Sequence, residues 1–181
     1  MILYLDEELY QIENEIEMAR HREKFDLEPK LAVRVADLTR HFLKHEPDIV
    51  HFSGHGSKSS SLIFLNNQRK KQSIPPSALA ELFKILSKKV KCVVLNACWS
   101  EEQGKAIAKH VDNVIGMSRE IEDEAAISFA KGFYRGLLDG RTISESFDFG
   151  IVQMGLMGVP SQEVPQLISK NDKTKKFRFI D

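Results

Sequence analysis

Two short apolar runs constrain this chain more than any other feature. Ile49-Val-His-Phe-Ser-Gly-His55-Gly56 and Val93-Val-Leu-Asn-Ala-Cys98 each end in a reactive side chain. The runs Ile49 to Phe52 and Val90 to Leu95 are too short for helices and nearly all apolar, as strands buried on both faces of a parallel sheet should be. Parallel strands deliver their C-terminal ends to one edge, where open α/β sheets build their sites. His55 and Cys98 are therefore expected to emerge together. A thiol beside an imidazole can attack an acyl carbon, because the imidazole takes the thiol proton and later returns one to the leaving group.

The surrounding pattern supplies the rest of an α/β layout. Leu5, Leu9, Ile12, Ile16 and Ala19 form one stripe of an amphipathic helix, with Asp6, Glu7 and Glu8 at its start and Arg20, His21 and Arg22 at its end. Phe25 to Val33 reads as a strand near a sheet edge, weakened by Pro29. A helix over Val35 to His45 turns Leu38, Phe42 and Leu43 inward and stops before Pro47. After the histidine, Leu62 to Leu65 and the Asn66-Asn67 turn predict a hairpin leading to the basic stretch Arg69-Lys70-Lys71. Pro75 and Pro76 open a helix through Leu86 with Leu79, Leu82, Phe83 and Leu86 on its buried face. Further helices are expected over Glu101 to His110, Ala125 to Leu138 and Ile143 to Met157, and strands over Val114 to Met117 and Val164 to Ile168. The alternation implies a mostly parallel sheet covered by helices on both faces.

Composition narrows the function classes. With 181 residues, 42% of them hydrophobic, the chain can bury a core and fits one domain. Lys plus Arg and Asp plus Glu both number 26, so neither nucleic acid nor an anionic membrane is the expected partner. Two cysteines without CxxC spacing support neither a disulfide framework nor a zinc site, and no signal peptide or spanning segment is read. A reduced cytoplasm is the expected location. Gly54-His55-Gly56 lacks the spacing of a nucleotide-binding loop. The pair His51/His55 finds no Asp or Glu at ligand spacing to complete a metal site, and His41/His45, four apart on a helix, read as a solvated or partly buried helix face. No cofactor and no metal are assigned.

At these positions the chain resembles a known family. His-Phe-Ser-Gly-His-Gly after one strand and Leu-Asn-Ala-Cys after the next central strand are the first two motifs. Val114-Ile-Gly-Met follows, then Asp123-Glu-Ala-Ala, Phe129-Ala, Phe133-Tyr134, Leu137 and Gly140. Together they resemble the caspase-like CHAT domain, of the same clan as caspases, metacaspases and separase, over about Leu5 to Ile168. The resemblance implies a caspase-like three-layer sandwich and a cysteine endopeptidase that cleaves a protein partner. It implies His55, not His51, as the catalytic histidine, Cys98 as the nucleophile, and the backbone N–H groups of Gly56 and Cys98 as the oxyanion hole. CHAT domains commonly sit beside repeat or sensor domains, which implies activation in trans within a signalling or defence system. A catalytically silent interaction module and non-proteolytic acyl transfer are the competing functions.

The chain departs from the family at its start. Only Met1 to Tyr4 precede the first helical stripe, so the usual first strand is expected to be absent from a domain spanning 1–170. A sheet with that inner position vacant should either close the gap internally or recruit a strand, and support from a regulatory partner or from a second copy is expected. Residues 171–181 read as a charged tail, within which Lys175-Lys-Phe-Arg-Phe-Ile180 alternates enough to be a candidate strand.

Three more residues are candidates for substrate contact. Arg119-Glu120-Ile-Glu-Asp123-Glu follows the third buried strand, and Glu120 or Asp123 there can receive a basic substrate side chain. Asp123 also reads as the cap of the helix that follows, the better-supported reading. Trp99 lines the cleft or packs beneath it. Cys92, inside its strand, is expected to be an inert buried hydrophobe.

Overall fold

A computed structural model describes residues 5–180, and it divides the chain into two compact units. The absent first strand concerns residues outside the described ones. The unit that carries the two apolar runs comprises Glu28–Glu120 with Gln166–Lys170. Its elements are α2 (Leu38–His45), β1 (Ile49–Ser53), β2 (Leu62–Leu65), β3 (Lys71–Ile74), α3 (Pro76–Leu86), β4 (Cys92–Asn96), α4 (Glu101–Ile107) and β5 (Asn113–Met117), joined by β6 (Pro165–Ser169). The sheet order is β1-β4-β5-β6, with β4 parallel to both β1 and β5.

Alternation along the strands sorts the core. Val50, Phe52, Val93, Leu95 and Val114 join one cluster with Leu79 and Phe83 of α3, Ile107 of α4 and Phe42 of α2. On the opposite face Cys92, Val94, Ile115 and Met117 are also fully buried, so the central strands are covered on both sides. Each such side chain contributes on the order of 1.5–3 kcal/mol relative to exposure. Pro76 takes the first helical position of α3, where its missing N–H costs nothing. The chain is thus an α/β protein with a mostly parallel central sheet flanked by helices.

Several expectations need correction. Phe25 to Val33 forms no strand. A 3-10 turn covers Arg22–Lys24, Ala32 takes a left-handed conformation (φ 50°), and among the described residues the one ladder contact nearby is a bridge from Arg34 to Leu65. Pro29 withholds a ladder donor and Ala32 ends any extension. Leu43 is 75% exposed, because α2 is short and turns only Leu38 and Phe42 toward the core. β1 is half-buried throughout, since among the described strands it stands at the end of the sheet.

The other unit is helical. It contains α1 (Leu5–Met18), α5 (Asp123–Leu138), α6 (Ile143–Leu156) and a short α7 (Asp172–Lys175). The stripe of α1 buries Ile12 fully, flanked by Glu8 and Glu15, while Arg20, His21 and Arg22 fall beyond the helix end. Burial of Glu15 is offset by a two-pronged pairing: Arg135 donates from Nε (3.0 Å) and Nη2 (2.8 Å) to its two carboxylate oxygens. α5 and α6 pack closely because Gly136 has no side chain; a Cβ there would lie 2.8 Å from Ser146 Cα. Thr142 and Glu145 form a capping box at the start of α6, and the Phe177 carbonyl accepts the Ile143 N–H at 3.0 Å. The C-terminal segment is thereby tied down, with Ile180 buried.

Candidate active site

The register of β1 against β4 sets the site. Ser53 pairs with Asn96 at the ends of the two strands, and the Gly54 N–H donates to the Asn96 carbonyl at 3.4 Å. His55 and Cys98 each lie two residues past this last pair, at the same sheet edge. The loops touch through their backbones. A Cβ on Gly56 would overlap the Cys98 carbonyl oxygen and stand 2.8 Å from the Cys98 carbonyl carbon and 3.4 Å from its nitrogen. Only glycine fits there.

The histidine loop is also held from its other side. The Ile63 N–H donates to the His55 carbonyl at 3.0 Å, and Gly56 bridges Leu62 in antiparallel sense. β2 and β3 form the expected hairpin, with Leu65 opposite Lys71, and Phe64 packs on Phe52 of β1 with ring centroids 4.8 Å apart. The hairpin therefore splints the loop that carries His55 to the strand that precedes it.

The cysteine loop has its own anchors. Trp99, half-buried, adopts φ 58°, and its N–H donates to the Arg119 carbonyl at 3.2 Å. Ser100 occupies the N-cap position of α4 but makes no cap bond. Its buried hydroxyl instead donates to the Leu95 carbonyl (2.8 Å) and accepts the Met117 N–H (2.9 Å), tying the loop to β4 and β5. Gln103, fully buried on α4, donates from Nε2 to the Ile74 carbonyl at 2.8 Å. Sequence reasoning missed both residues. A serine one residue before Glu101-Glu102 reads as an ordinary helix cap, and nothing in the pattern says that its hydroxyl turns back to the strands.

The two thiols differ in environment. Cys98 is half-buried in its loop, whereas Cys92 is sealed in the core, and burial pushes its thiol up to about 12 because the thiolate would lose its hydration. Cys92 is buried, as expected.

The acidic candidates separate. Glu120 is exposed and directly follows Arg119, whose carbonyl holds Trp99, so it belongs to the cysteine side of the sheet edge. Asp123 is the first residue of α5 in the helical unit, and it is not the cap: Glu122 takes that position, with no side-chain cap bond. The helix begins two residues earlier than its apolar pattern indicates, which moves Asp123 into the first turn. There it complements the helix dipole together with Glu124.

Among the described residues no group of three or more His, Cys, Asp or Glu side chains converges to hold a metal ion. No described helix is long and apolar enough to cross a membrane.

Comparison with known proteins gives concordant results. The family model described as CHAT domain matches residues 7–148. A Roc-COR-CHAT protease from an unknown prokaryotic organism is 29% identical over 157 residues, which is 80% of this chain and 15% of that protein. A probable protease of Gillisia limnaea is 26% identical over 140 residues, 75% of this chain and 24% of that protein. The chain spans a minor part of the length of both relatives.

Proposed function

Because the chain belongs to the CHAT-domain family, we propose that it is a cysteine endopeptidase in which Cys98 is the nucleophile and His55 its acid–base partner. The observation that carries this reading is the closure of the two loops on each other, with Gly56 seated against the Cys98 backbone at the shared edge of β1 and β4. The half-buried state of Cys98, beside the sealed Cys92, adds support.

The chemistry runs as follows under this reading. His55 takes the thiol proton as Cys98 Sγ bonds to the scissile carbonyl carbon, and the carbonyl oxygen becomes an oxyanion held by the backbone N–H groups of Gly56 and Cys98. Collapse breaks the C–N bond, and the proton on His55 leaves with the amine. Water, deprotonated by His55, then hydrolyses the thioester and regenerates the thiol. Preorganised backbone donors of this kind contribute about 10²–10³ in rate. Glycine at 56 suits the role, since it lets the loop backbone approach the reacting carbon.

Trp99 and Glu120 are assigned to the substrate, with Glu120 receiving a basic side chain next to the cleaved bond; Asp123 is the alternative acceptor. The partner is a protein substrate, and activation in trans by a regulatory protein or by self-association belongs to the same reading. A reducing cytoplasm suits a mechanism that needs a free thiol.

Cleavage-site profiling of a host proteome digested with the purified chain tests the assignment. New N-termini following Arg or Lys are expected, absent with Cys98→Ala and His55→Ala, and reduced by Glu120→Gln or Asp123→Asn. Cleavage that survives Cys98→Ala would reject the mechanism.

A further inference from the structure

Charge is segregated in this neutral chain. Between Ile49 and Ala80 there is no Asp or Glu, while Lys58, Arg69, Lys70 and Lys71 all fall in that stretch. All four are exposed, and none is held in an ion pair among the described residues. Three of them sit at the tip of the β2–β3 hairpin and the fourth in the loop just after Gly56. The backbone fixes their position. Asn66 Oδ1 accepts the N–H groups of Gln68 and Lys70, both at 2.9 Å, and Asn66 N–H donates to the Lys70 carbonyl at 2.9 Å, so the tip is a closed, shaped turn. The hairpin in turn is bonded to the His55 carbonyl through Ile63.

We propose that this hairpin is a substrate-recognition arm that takes an acidic polypeptide segment flanking the cleaved bond. The proposal rests on the peptidase reading above and adds to it the chemical class of the substrate. Geometry sets the spacing. Leu62 bridges Gly56, and Lys71 lies opposite Leu65, three residues farther along β2. At about 3.4 Å per residue that is roughly 10 Å, and Arg69 and Lys70 reach a few ångströms beyond. An extended peptide advances about 3.3–3.6 Å per residue, which puts the complementary carboxylates about three to five residues from the scissile bond.

An acidic peptide fits better than nucleic acid. No aromatic side chain lies between Asn66 and Ser73 to stack on a base, and outside this stretch a long polyanion meets the chain's 26 carboxylates. Four cations at a rim steer a short acidic segment and raise its on-rate in a salt-dependent way.

The test uses the whole chain, two quenched peptide libraries with Arg or Lys at the cleaved bond, and a charge-reversed variant carrying Arg69→Glu, Lys70→Glu and Lys71→Glu. One library carries Glu three to five residues from that bond, the other Gln. The proposal expects kcat/KM to favour the Glu library by about tenfold at low salt, the preference shrinking with added NaCl and disappearing in the variant. An equal kcat/KM for both libraries, or a preference that survives charge reversal, overturns it. Should reversal unfold the hairpin, the corresponding Gln variants replace it under the same criteria. Fluorescence anisotropy of a labelled Glu-rich peptide on Cys98→Ala separates the two claims. Binding lost on charge reversal, with no cleavage of either library by the parent chain, supports the arm and rejects the peptidase. Hairpin-dependent binding of a labelled single-stranded oligonucleotide or of phosphatidylserine vesicles, tighter than that of the peptide, overturns the proposal.

Discussion

Cys92 and Cys98 stand six residues apart on one strand and its exit loop, and their surroundings make them different chemical objects. Cys92 has zero exposure, and burial pushes its thiol up to about 12. Cys98 has left the sheet, sits in a loop anchored at Trp99 and Ser100, and meets the backbone of Gly56. The lesson is that the loop anchors make the difference. A strand interior seals a thiol in the core, whereas the C-terminal edge leaves the next one half-buried and in reach of a second loop.

The comparison breaks most severely at Gly56. A methyl group there collides with the Cys98 carbonyl, so Gly56→Ala must push the loops apart. Overpacking of this kind costs about 1–3 kcal/mol, and a displacement near 1 Å at reacting groups costs about 10²-fold in rate. Thermal melts and probe labelling of Cys98 check both.

Ser100→Ala should come next. It strands the buried Met117 N–H and Leu95 carbonyl, at a cost of about 1–3 kcal/mol, and it frees the loop that follows Cys98. Labelling of Cys98 is expected to lose its advantage over Cys92, and Ser100→Thr should retain more of it than Ser100→Ala. If Ser100→Ala lowers the melting temperature yet leaves the labelling contrast intact, the anchor has no part in positioning the thiol.

A smaller effect is expected far from either thiol. Thr142→Ala removes the hydroxyl half of the capping box of α6, leaving the backbone bond from residue 142 to Glu145, and should cost about 1 kcal/mol, with labelling unchanged. Its pH dependence has a definite sign. The Thr142 backbone N–H, then its hydroxyl, holds the Glu145 carboxyl below its ordinary value, so this stabilisation is present above the unfolded glutamate range and lost as pH falls through the folded one. Melts between neutral pH and about pH 3 should show the gap between parent and Thr142→Ala narrowing without closing, because only the hydroxyl's share of the carboxylate's stabilisation differs between them and the bond from the Glu145 N–H to the hydroxyl does not titrate. Cys92 acts at the other end: its folded thiol lies above the unfolded value, so its contribution is complete below about pH 8.5 and is lost as pH rises toward the folded value. Cys92→Ala should therefore flatten the alkaline loss of stability.

Much of this was legible in the sequence because it rests on period and punctuation. Helices announced by three-four spacing and Pro76, strands announced by short apolar runs, and the Asn66-Asn67 hairpin all stand within a few residues of their expected bounds. What escaped depends on tertiary context. The half-burial of β1 follows from its place at the end of the order of the described strands, which no local pattern carries. Leu43 shows that an apolar residue on a short helix need not face the core. Asp123 missed the cap position by one residue, the usual margin for helix ends. At the site, the loops of His55 and Cys98 were readable as motifs, yet the anchor Ser100 was masked by its resemblance to a helix cap.

The most direct test of the account is competitive alkylation of the folded chain with iodoacetamide at neutral pH, each thiol followed by peptide mass spectrometry, in parent and His55→Ala. The account predicts rapid modification of Cys98, none of Cys92 until the chain unfolds, and a clear slowing at Cys98 in His55→Ala. Equal rates at the two thiols, or a Cys98 rate indifferent to His55, would contradict it.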